Sequence, residues 1–202
     1  ANVVPAGGGG TATYQWLIAD TVDGTYTDIT DETASDYVIA ASDVGKYLKV
    51  AALGTGAYTG TETSTAVGPV AAKTVTIAVI PGVTVPVQGG TPVSVTGETA
   101  QYTGTVTWSP TDNPFEYYEI YTATITLAAK AGYTFDGVIA NFFTVAGADT
   151  VSNDADLGVV TAVFPRTAAE PLTSVTIEGT AEYGQTLTAV VAPELAEATY
   201  QW

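Results

Sequence analysis

Residues 121–127 read Tyr-Thr-Ala-Thr-Ile-Thr-Leu, and this strict alternation of apolar side chains with threonine decides the fold class. Successive side chains of a β-strand point to opposite faces of a sheet. One face of this strand is therefore predicted to carry Tyr121, Ala123, Ile125 and Leu127. Threonine and the other β-branched residues fit the pleated surface of a sheet, so the stretch predicts a strand with one buried face.

The same kind of pattern fills the rest of the chain. Short runs rich in Val, Thr, Tyr and Ile alternate with turn residues, and no segment shows a convincing 3.6-residue period. This spacing is typical of an all-β sandwich with tight turns. The predicted strands are residues 13–18, 24–29, 37–40, 46–53, 62–70, 103–108, 121–127, 141–145, 159–164, 172–178 and 185–191.

The charge of the chain excludes several classes of partner. It carries 21 acidic residues against five basic ones, for a net charge of −16. So few basic side chains cannot neutralise a run of phosphates, which excludes a nucleic-acid-binding protein. An anionic membrane repels such a chain for the same reason, and copies of the chain repel each other unless cations or specific pairing overcome the repulsion.

Three residue types with distinctive chemistry are missing from the chain: cysteine, methionine and histidine. No disulfide, zinc site or cysteine nucleophile is therefore expected. Paired carboxylates or a Ser/Lys pair remain as routes to catalysis, and the sequence shows no sign of the cleft that two carboxylates require. We expect no enzymatic activity. The missing residues indicate either compositional bias or an exported protein that avoids oxidisable side chains.

A short internal repeat organises the chain. The pentapeptide Ala-Thr-Tyr-Gln-Trp at residues 12–16 recurs at residues 198–202. A chance recurrence that includes tryptophan is improbable, and self-similarity of this kind is typical of repeat arrays. The chain is therefore interpreted as one period of a longer array with a short overlap at its end.

The first and last segments resemble a bacterial immunoglobulin-like repeat of large cell-surface proteins, which is often found beside surface-layer homology domains. The repeat has an opening strand, a Gly-Gln-Thr-Leu strand, Tyr-Gln-Trp and later Asp-Val-Gly-Lys-Tyr. The matching residues are 175–179, 184–187, 14–16, 200–202 and 43–47. The middle segment is similar to another β-sandwich module of such proteins through residues 105–110 and 132–135. The resemblance implies tandem immunoglobulin-like β-sandwich modules and no activity.

Three segments follow from these patterns. Residues 1–70 are predicted to form an immunoglobulin-like module that lacks its opening strands, and residues 71–168 a second β-sandwich module. Residues 169–202 carry the opening strands of a further module and are too few to close a core alone. We expect them to complete residues 1–70 of a neighbouring copy, either by strand donation between separate chains or within one long covalent array.

Three aromatic residues are predicted to be buried in the module cores. The resemblance places Trp16 at the position of a core tryptophan and Tyr47 at that of a tyrosine corner, and Trp108 is assigned the same kind of role in the middle module. Lys49 stands where an antibody domain has its second cysteine, so the core must hold by packing alone. The competing interpretation is that these rings are sugar-binding platforms, which requires them to be exposed and coplanar.

Calcium is the ligand with the best motivation in the sequence. Hard oxygen ligands are abundant and divalent cations would relieve the negative charge. The densest cluster lies in residues 149–156, with Asp149, Asp154 and Asp156 as candidate ligands, and a second lies at Asp20 and Asp23. Neither matches an EF-hand loop, so solvated acidic turns remain the alternative.

Three functions remain open from the sequence. The first is a structural repeat unit of a bacterial extracellular surface assembly (a fibre, surface layer or stalk), whose partners are other copies of itself or neighbouring repeats, head to tail. The second is an adhesin or carbohydrate-binding module of a larger surface protein, with polysaccharide as partner. The third is an accessory module of a large exported enzyme. All three predict an extracellular location at the cell surface.

Overall fold

The computed structural model describes residues 9–192, and within that range the protein is all-β. It has fourteen strands, one 3-10 turn at Ala41–Asp43 and no α-helix among those residues, which confirms the all-β prediction. Over the same range no helix has the length and hydropathy to cross a membrane. The strands are β1 Thr11–Ala19, β2 Thr27–Asp28, β3 Tyr47–Thr55, β4 Thr61–Thr63, β5 Lys73–Thr74, β6 Val79–Ile80, β7 Tyr102–Ser109, β8 Thr122–Ala129, β9 Tyr133–Thr134, β10 Thr144–Val145, β11 Thr150–Asn153, β12 Val159–Val163, β13 Ser174–Glu178 and β14 Thr188–Ala192.

The N-terminal strands form one antiparallel sheet in the order β2-β1-β3-β4. The two long strands β1 and β3 pair along their whole length, with Trp16 opposite Val50 and Ile18 opposite Leu48. Residues that stand directly opposite each other share a face of the sheet. These four side chains therefore lie on one face, and Leu48 and Val50 are buried there.

The middle of the chain is a β-sandwich-like unit with its own core. One layer is the antiparallel sheet β11-β12-β8-β7, and the other is built around two short parallel pairs, β5 with β9 and β6 with β10. The buried cluster between them draws all its members from residues 75–164. Its largest fully buried side chains are Tyr102, Tyr121, Phe143 and Phe164. The Tyr102 hydroxyl donates a hydrogen bond to the Val79 carbonyl at 2.8 Å.

The stretch that predicts the fold class lies at the centre of this unit, in and just before β8. Tyr121, Ala123 and Ile125 are completely buried and Leu127 is 6% exposed, whereas the threonines between them are half-buried or exposed. The predicted buried face is confirmed. Trp108 is also buried, and its indole N–H donates to the Val93 carbonyl at 2.8 Å, so its predicted core position is confirmed as well.

The predicted burial of two other aromatic residues is only partial. Trp16 and Tyr47 are half-buried. The register places them on opposite faces of the sheet, because Trp16 stands opposite Val50 and Tyr47 opposite Ala19. The Trp16 indole N–H donates to the Ala34 carbonyl at 3.0 Å. These two residues therefore belong to a sheet with one layer rather than to a closed sandwich core.

Four predicted strands differ from the observed ones. Residues 37–40 pair with no described strand, and the strand predicted at 24–29 is reduced to Thr27–Asp28. The strand predicted at 62–70 is reduced to Thr61–Thr63, although Val67 still forms an isolated antiparallel bridge with Leu48. The strand predicted at 141–145 is reduced to Thr144–Val145, because Asn141 has a left-handed backbone with a φ of 57° that interrupts an extended chain. The buried cluster of the middle unit falls inside the predicted segment 71–168, whose boundaries stay a prediction.

The last described element is a hairpin formed by β13 and β14, which pair antiparallel with each other and with no other strand. Every residue of β13 is exposed and most of β14 is half-buried. The hairpin therefore stands apart from both the N-terminal sheet and the middle core. The second copy of the pentapeptide, at residues 198–202, lies outside the described residues.

Candidate assembly interface

On one face of the N-terminal sheet the two central strands, β1 and β3, are apolar, and we call this the inner face; Glu62 of the edge strand β4 stands opposite Ala52 and lies on the same side. The antiparallel register places even-numbered residues of β1 opposite even-numbered residues of β3, so all of them project to the same side. A sheet face this apolar normally packs against a second layer about 10 Å away. The inner face consists of Ala12, Tyr14, Trp16 and Ile18 of β1 with Leu48, Val50 and Ala52 of β3.

Two open cavities show where the inner face lacks cover. The first, of about 360 Å³, lies between Trp16 and Tyr37 and is also bordered by Ile39 and Val67. The second, of about 300 Å³, lies over Tyr14 and Ala52 towards the other end of the same face. Ile39 and Val67 are 53% and 71% exposed although both are apolar. The inner face is therefore a partly covered apolar groove, in which Leu48 and Val50 are buried. At its edge, Ile39 and Val67 also border a cavity of about 590 Å³ against residues 131–133 of the middle unit.

The rim of the first cavity is held in place by Asp43, which is only 4% exposed. Its Oδ2 accepts hydrogen bonds from the Tyr37 hydroxyl at 2.6 Å and from the Ala40 N–H at 2.8 Å. The Tyr37 ring in turn lies 5.6 Å from the Trp16 ring. Burial, followed by the hydrogen bond and charge of Asp43, raises the pKa of Tyr37 to about 12. The hydroxyl therefore stays protonated and keeps donating at physiological pH.

The Asp-Val-Gly-Lys-Tyr motif at residues 43–47 works differently from the prediction. Sequence reasoning assigned its hydrogen-bonding role to Tyr47 as a tyrosine corner, whereas the buried hydrogen bonds converge on Asp43. An acidic residue at the third position of a helical turn is a recognised signal for a side-chain bond back to the N–H of the residue that precedes the turn. That signal could have identified Asp43 as the residue that positions Tyr37 and Ala40.

The second uncovered surface is one face of the β13–β14 hairpin. Its cross-strand pairs make this face apolar, because Val175 stands opposite Val191 and Ile177 opposite Ala189. The other face combines the polar Ser, Thr and Glu side chains of β13 with Val190 and Ala192 of β14. Val175 and Ile177 are 67% and 66% exposed. An isolated two-stranded hairpin is at best marginally stable in water, and this one leaves its apolar face largely exposed.

The inner face and the apolar face of the hairpin are complementary in shape class and polarity. The N-terminal sheet has an apolar face without a second layer, and the hairpin is a thin amphipathic layer without a support. In β-sandwiches, two sheets pack face to face with their apolar side chains interdigitated. A hairpin laid over the inner face would supply the missing layer.

The three calcium candidates do not converge on one point. Asp149 precedes β11 and Asp154 follows it, and a strand rises about 3.3 Å per residue, which separates their Cα atoms by about 16 Å. The Asp156 Oδ1 accepts a hydrogen bond from the Gly137 N–H at 2.7 Å. Within residues 9–192 no three acidic side chains lie close enough together to hold a metal ion. The calcium site stays a prediction that this geometry does not support.

The three aromatic residues considered as a sugar-binding platform do not share one exposed surface, because Tyr47 and Trp16 project from opposite faces of the N-terminal sheet. Trp108 is buried in the middle core. Trp16 is half-buried, and its ring is inclined at 34° to that of Tyr37 rather than coplanar with it.

Comparison with known proteins identifies no relative of this chain. No family model matches it, and no curated protein and no solved structure matches it either. The functional assignment therefore depends on the residues and the geometry of the two uncovered surfaces.

Proposed function

We propose that this chain is a non-catalytic structural repeat unit of a bacterial extracellular surface assembly, such as a fibre, surface layer or stalk, whose units join head to tail. The C-terminal hairpin β13–β14 of one unit covers the inner face of the next unit and completes an immunoglobulin-like sandwich there. The observation that carries the proposal is the presence of two complementary uncovered apolar surfaces near opposite ends of the described chain.

The hydrophobic effect supplies the driving force for this contact. Val175 and Ile177 on the hairpin, and Ile39 and Val67 on the groove, each leave more than half of their surface in water. Burying a side chain of this size completely is worth about 1.5–3 kcal/mol. Contiguous apolar patches of this kind mark interaction sites on soluble proteins.

The contact is heterologous, because the hairpin and the groove are different surfaces of the same chain. Heterologous contacts propagate into open filaments unless the rotation between units closes a ring. The middle unit has its own buried core, so in every repeat it serves as a folded spacer between successive contacts. A series of such units gives an elongated assembly of regular period.

Two forms of assembly use the same contact. In the first, separate chains join by strand donation, and in the second, the donor and acceptor belong to adjacent repeats of one long polypeptide. The recurrence of residues 12–16 at 198–202 is consistent with the second form. Denaturing electrophoresis of the native assembly separates them, because a noncovalent filament falls to chains near 20.6 kDa and a covalent array does not.

The extracellular location is supported by sequence features. The motifs at residues 14–16, 43–47 and 184–187 resemble those of bacterial surface repeats, and the composition combines a strong negative charge with no oxidisable Cys or Met. A net charge of −16 opposes association, so we expect added salt to strengthen the contact by screening the repulsion.

A sedimentation-velocity concentration series on the full chain tests the proposal. We expect the average mass to rise past that of a dimer in an open series as the concentration rises, and to rise further with added salt. A chain that stays monomeric at every concentration and salt level refutes the proposal. A series that stops at a dimer refutes the open assembly, because two units that exchange hairpins close on each other and leave no free end.

A further inference from the structure

We propose that residues 37–40 are an acceptor strand, and that β14 of the neighbouring unit pairs with this segment edge to edge. The inference depends on the head-to-tail contact of the proposed function. It adds backbone pairing, and therefore a register, to the face-to-face packing of the hairpin on the groove.

Residues 37–40 already have the side-chain alternation of a strand. Tyr37 and Ile39 border the first cavity, whereas Val38 between them is 85% exposed. Ala40 has an extended backbone, with a φ of −85° and a ψ of 160°. This period of two places alternate side chains on opposite sides of the segment, as in a β-strand.

The first three residues of the segment have no backbone partner among the described residues. Tyr37, Val38 and Ile39 make no backbone hydrogen bond within residues 9–192, and the first such bonds occur at Ala40, where the turn to Asp43 begins. A row of unpaired N–H and C=O groups beside apolar side chains is a template for another strand. Addition of a strand to an exposed edge is an established mode of recognition.

Charge favours β14 over β13 as the strand that pairs. Thr188–Ala192 contains no charged residue, whereas β13 ends in Glu178. The acceptor segment is uncharged but follows Asp36 directly. Like charges on adjacent strands destabilise pairing, so the uncharged edge of β14 fits this position better.

The side chains of the two segments match when they lie side by side. Ala189 and Val191 share the apolar face of the hairpin, and beside the acceptor they point towards the inner face together with Tyr37 and Ile39. Val190 then points outward, on the same side as Val38. Residues 37–40, β14 and β13 form a three-stranded layer over β1 and β3, which is the layer that the N-terminal sheet lacks.

Introduced cysteines test this register directly, because the chain has no cysteine of its own. Val38→Cys is combined in turn with one substitution at an outward position of β14, which is Thr188→Cys, Val190→Cys or Ala192→Cys. The matched controls combine Val38→Cys with a substitution at an inward position, Ala189→Cys or Val191→Cys. A disulfide requires Cα atoms about 4.4–6.8 Å apart. We expect a ladder of covalent oligomers on non-reducing electrophoresis with an outward position, and none with the inward ones.

The alternatives give different results in the same set of variants. Cross-linking of Val38→Cys to Thr176→Cys on β13, or a disulfide inside a single chain, overturns the assignment of the neighbour's β14. Association in sedimentation without a cross-link at any position overturns the acceptor strand and leaves the head-to-tail contact intact. If the unmodified chain does not associate at all, the proposed function itself is overturned.

Discussion

Truncating Ile177 to alanine is predicted to weaken the contact between units without weakening the fold of one unit. The Ile177 side chain lies on the apolar face of the hairpin and is 66% exposed in the single chain. Complete burial of an isoleucine side chain is worth about 1.5–3 kcal/mol, so burying the exposed two-thirds is worth about 1–2 kcal/mol. The dissociation constant should therefore rise by about 5- to 30-fold.

The assay is sedimentation velocity across a concentration series, with Ile139→Ala as the matched control. Ile139 belongs to the middle segment, is 68% exposed, and lies in neither the hairpin nor the groove. Ile139→Ala removes the same side-chain atoms as Ile177→Ala, from a residue of nearly equal exposure. We expect the control to associate like the unmodified chain, and both variants to keep the thermal unfolding midpoint of a dilute single chain.

Two results would refute this reasoning. If Ile177→Ala associates as strongly as the unmodified chain, the apolar face of the hairpin is not buried in the contact. If Ile139→Ala weakens association to the same degree, the attraction is nonspecific and does not use the two surfaces.

Three further predictions follow from individual residues. Asp43→Ala removes the acceptor of the hydrogen bonds from the Tyr37 hydroxyl and the Ala40 N–H. It should lower the free energy of unfolding, measured by chemical denaturation, by about 1–3 kcal/mol and also weaken association. An unchanged dissociation constant would contradict the acceptor role of residues 37–40. Ile125→Ala, at a completely buried position of the middle core, should cost about 2–5 kcal/mol and lower the Tm while association below that Tm is unchanged; a loss of association in the folded variant would contradict the separation of core and contact. Burial raises the pKa of Tyr102 to about 12, and burial together with Asp43 raises the pKa of Tyr37 to about 12, so the folded state retains these protons above pH 10. The stability that these protons contribute is complete below pH 10 and is lost as the pH rises towards 12. Tyr102→Phe should therefore show a smaller fall in Tm between pH 10 and 12 than the unmodified chain, and an equal fall in both chains would contradict this.

The parts of the fold that the sequence predicts are those set by local pattern. The alternation at residues 121–127 correctly predicts a strand and its buried face, because side-chain direction in a strand depends only on residue spacing. The same holds for the long strands β1 and β3 and for the hairpin, whose alternating Val and Ile side chains mark one apolar face.

The parts that the sequence does not predict depend on distant partners. The two-residue parallel pairs β5–β9 and β6–β10 join segments far apart in the chain, and so short a pairing leaves no recognisable pattern. Residues 37–40 have the composition of a strand, yet no described strand lies beside them. The carboxylates of Asp149 and Asp154 are close in sequence, but the strand between them is extended and holds them apart.

The candidate interface was predicted as a pair of segments and not as a pair of surfaces. The resemblance of its motifs to surface repeats predicts that residues 169–202 supply strands missing from residues 1–70. It did not indicate that Asp43 orders the rim of the groove or that Val38 faces outward. Those features arise from hydrogen bonds and exposure, which only the folded arrangement defines.

Mixing two blocked variants tests the head-to-tail contact most directly. Ile177→Lys places a charge on the donor face and Val67→Lys places one beside the groove, and both positions are largely exposed in the single chain. We predict that each variant alone is monomeric, and that the mixture forms a 1:1 heterodimer of about twice 20.6 kDa and grows no further. A mixture that stays monomeric, or either variant polymerising alone, would contradict the account.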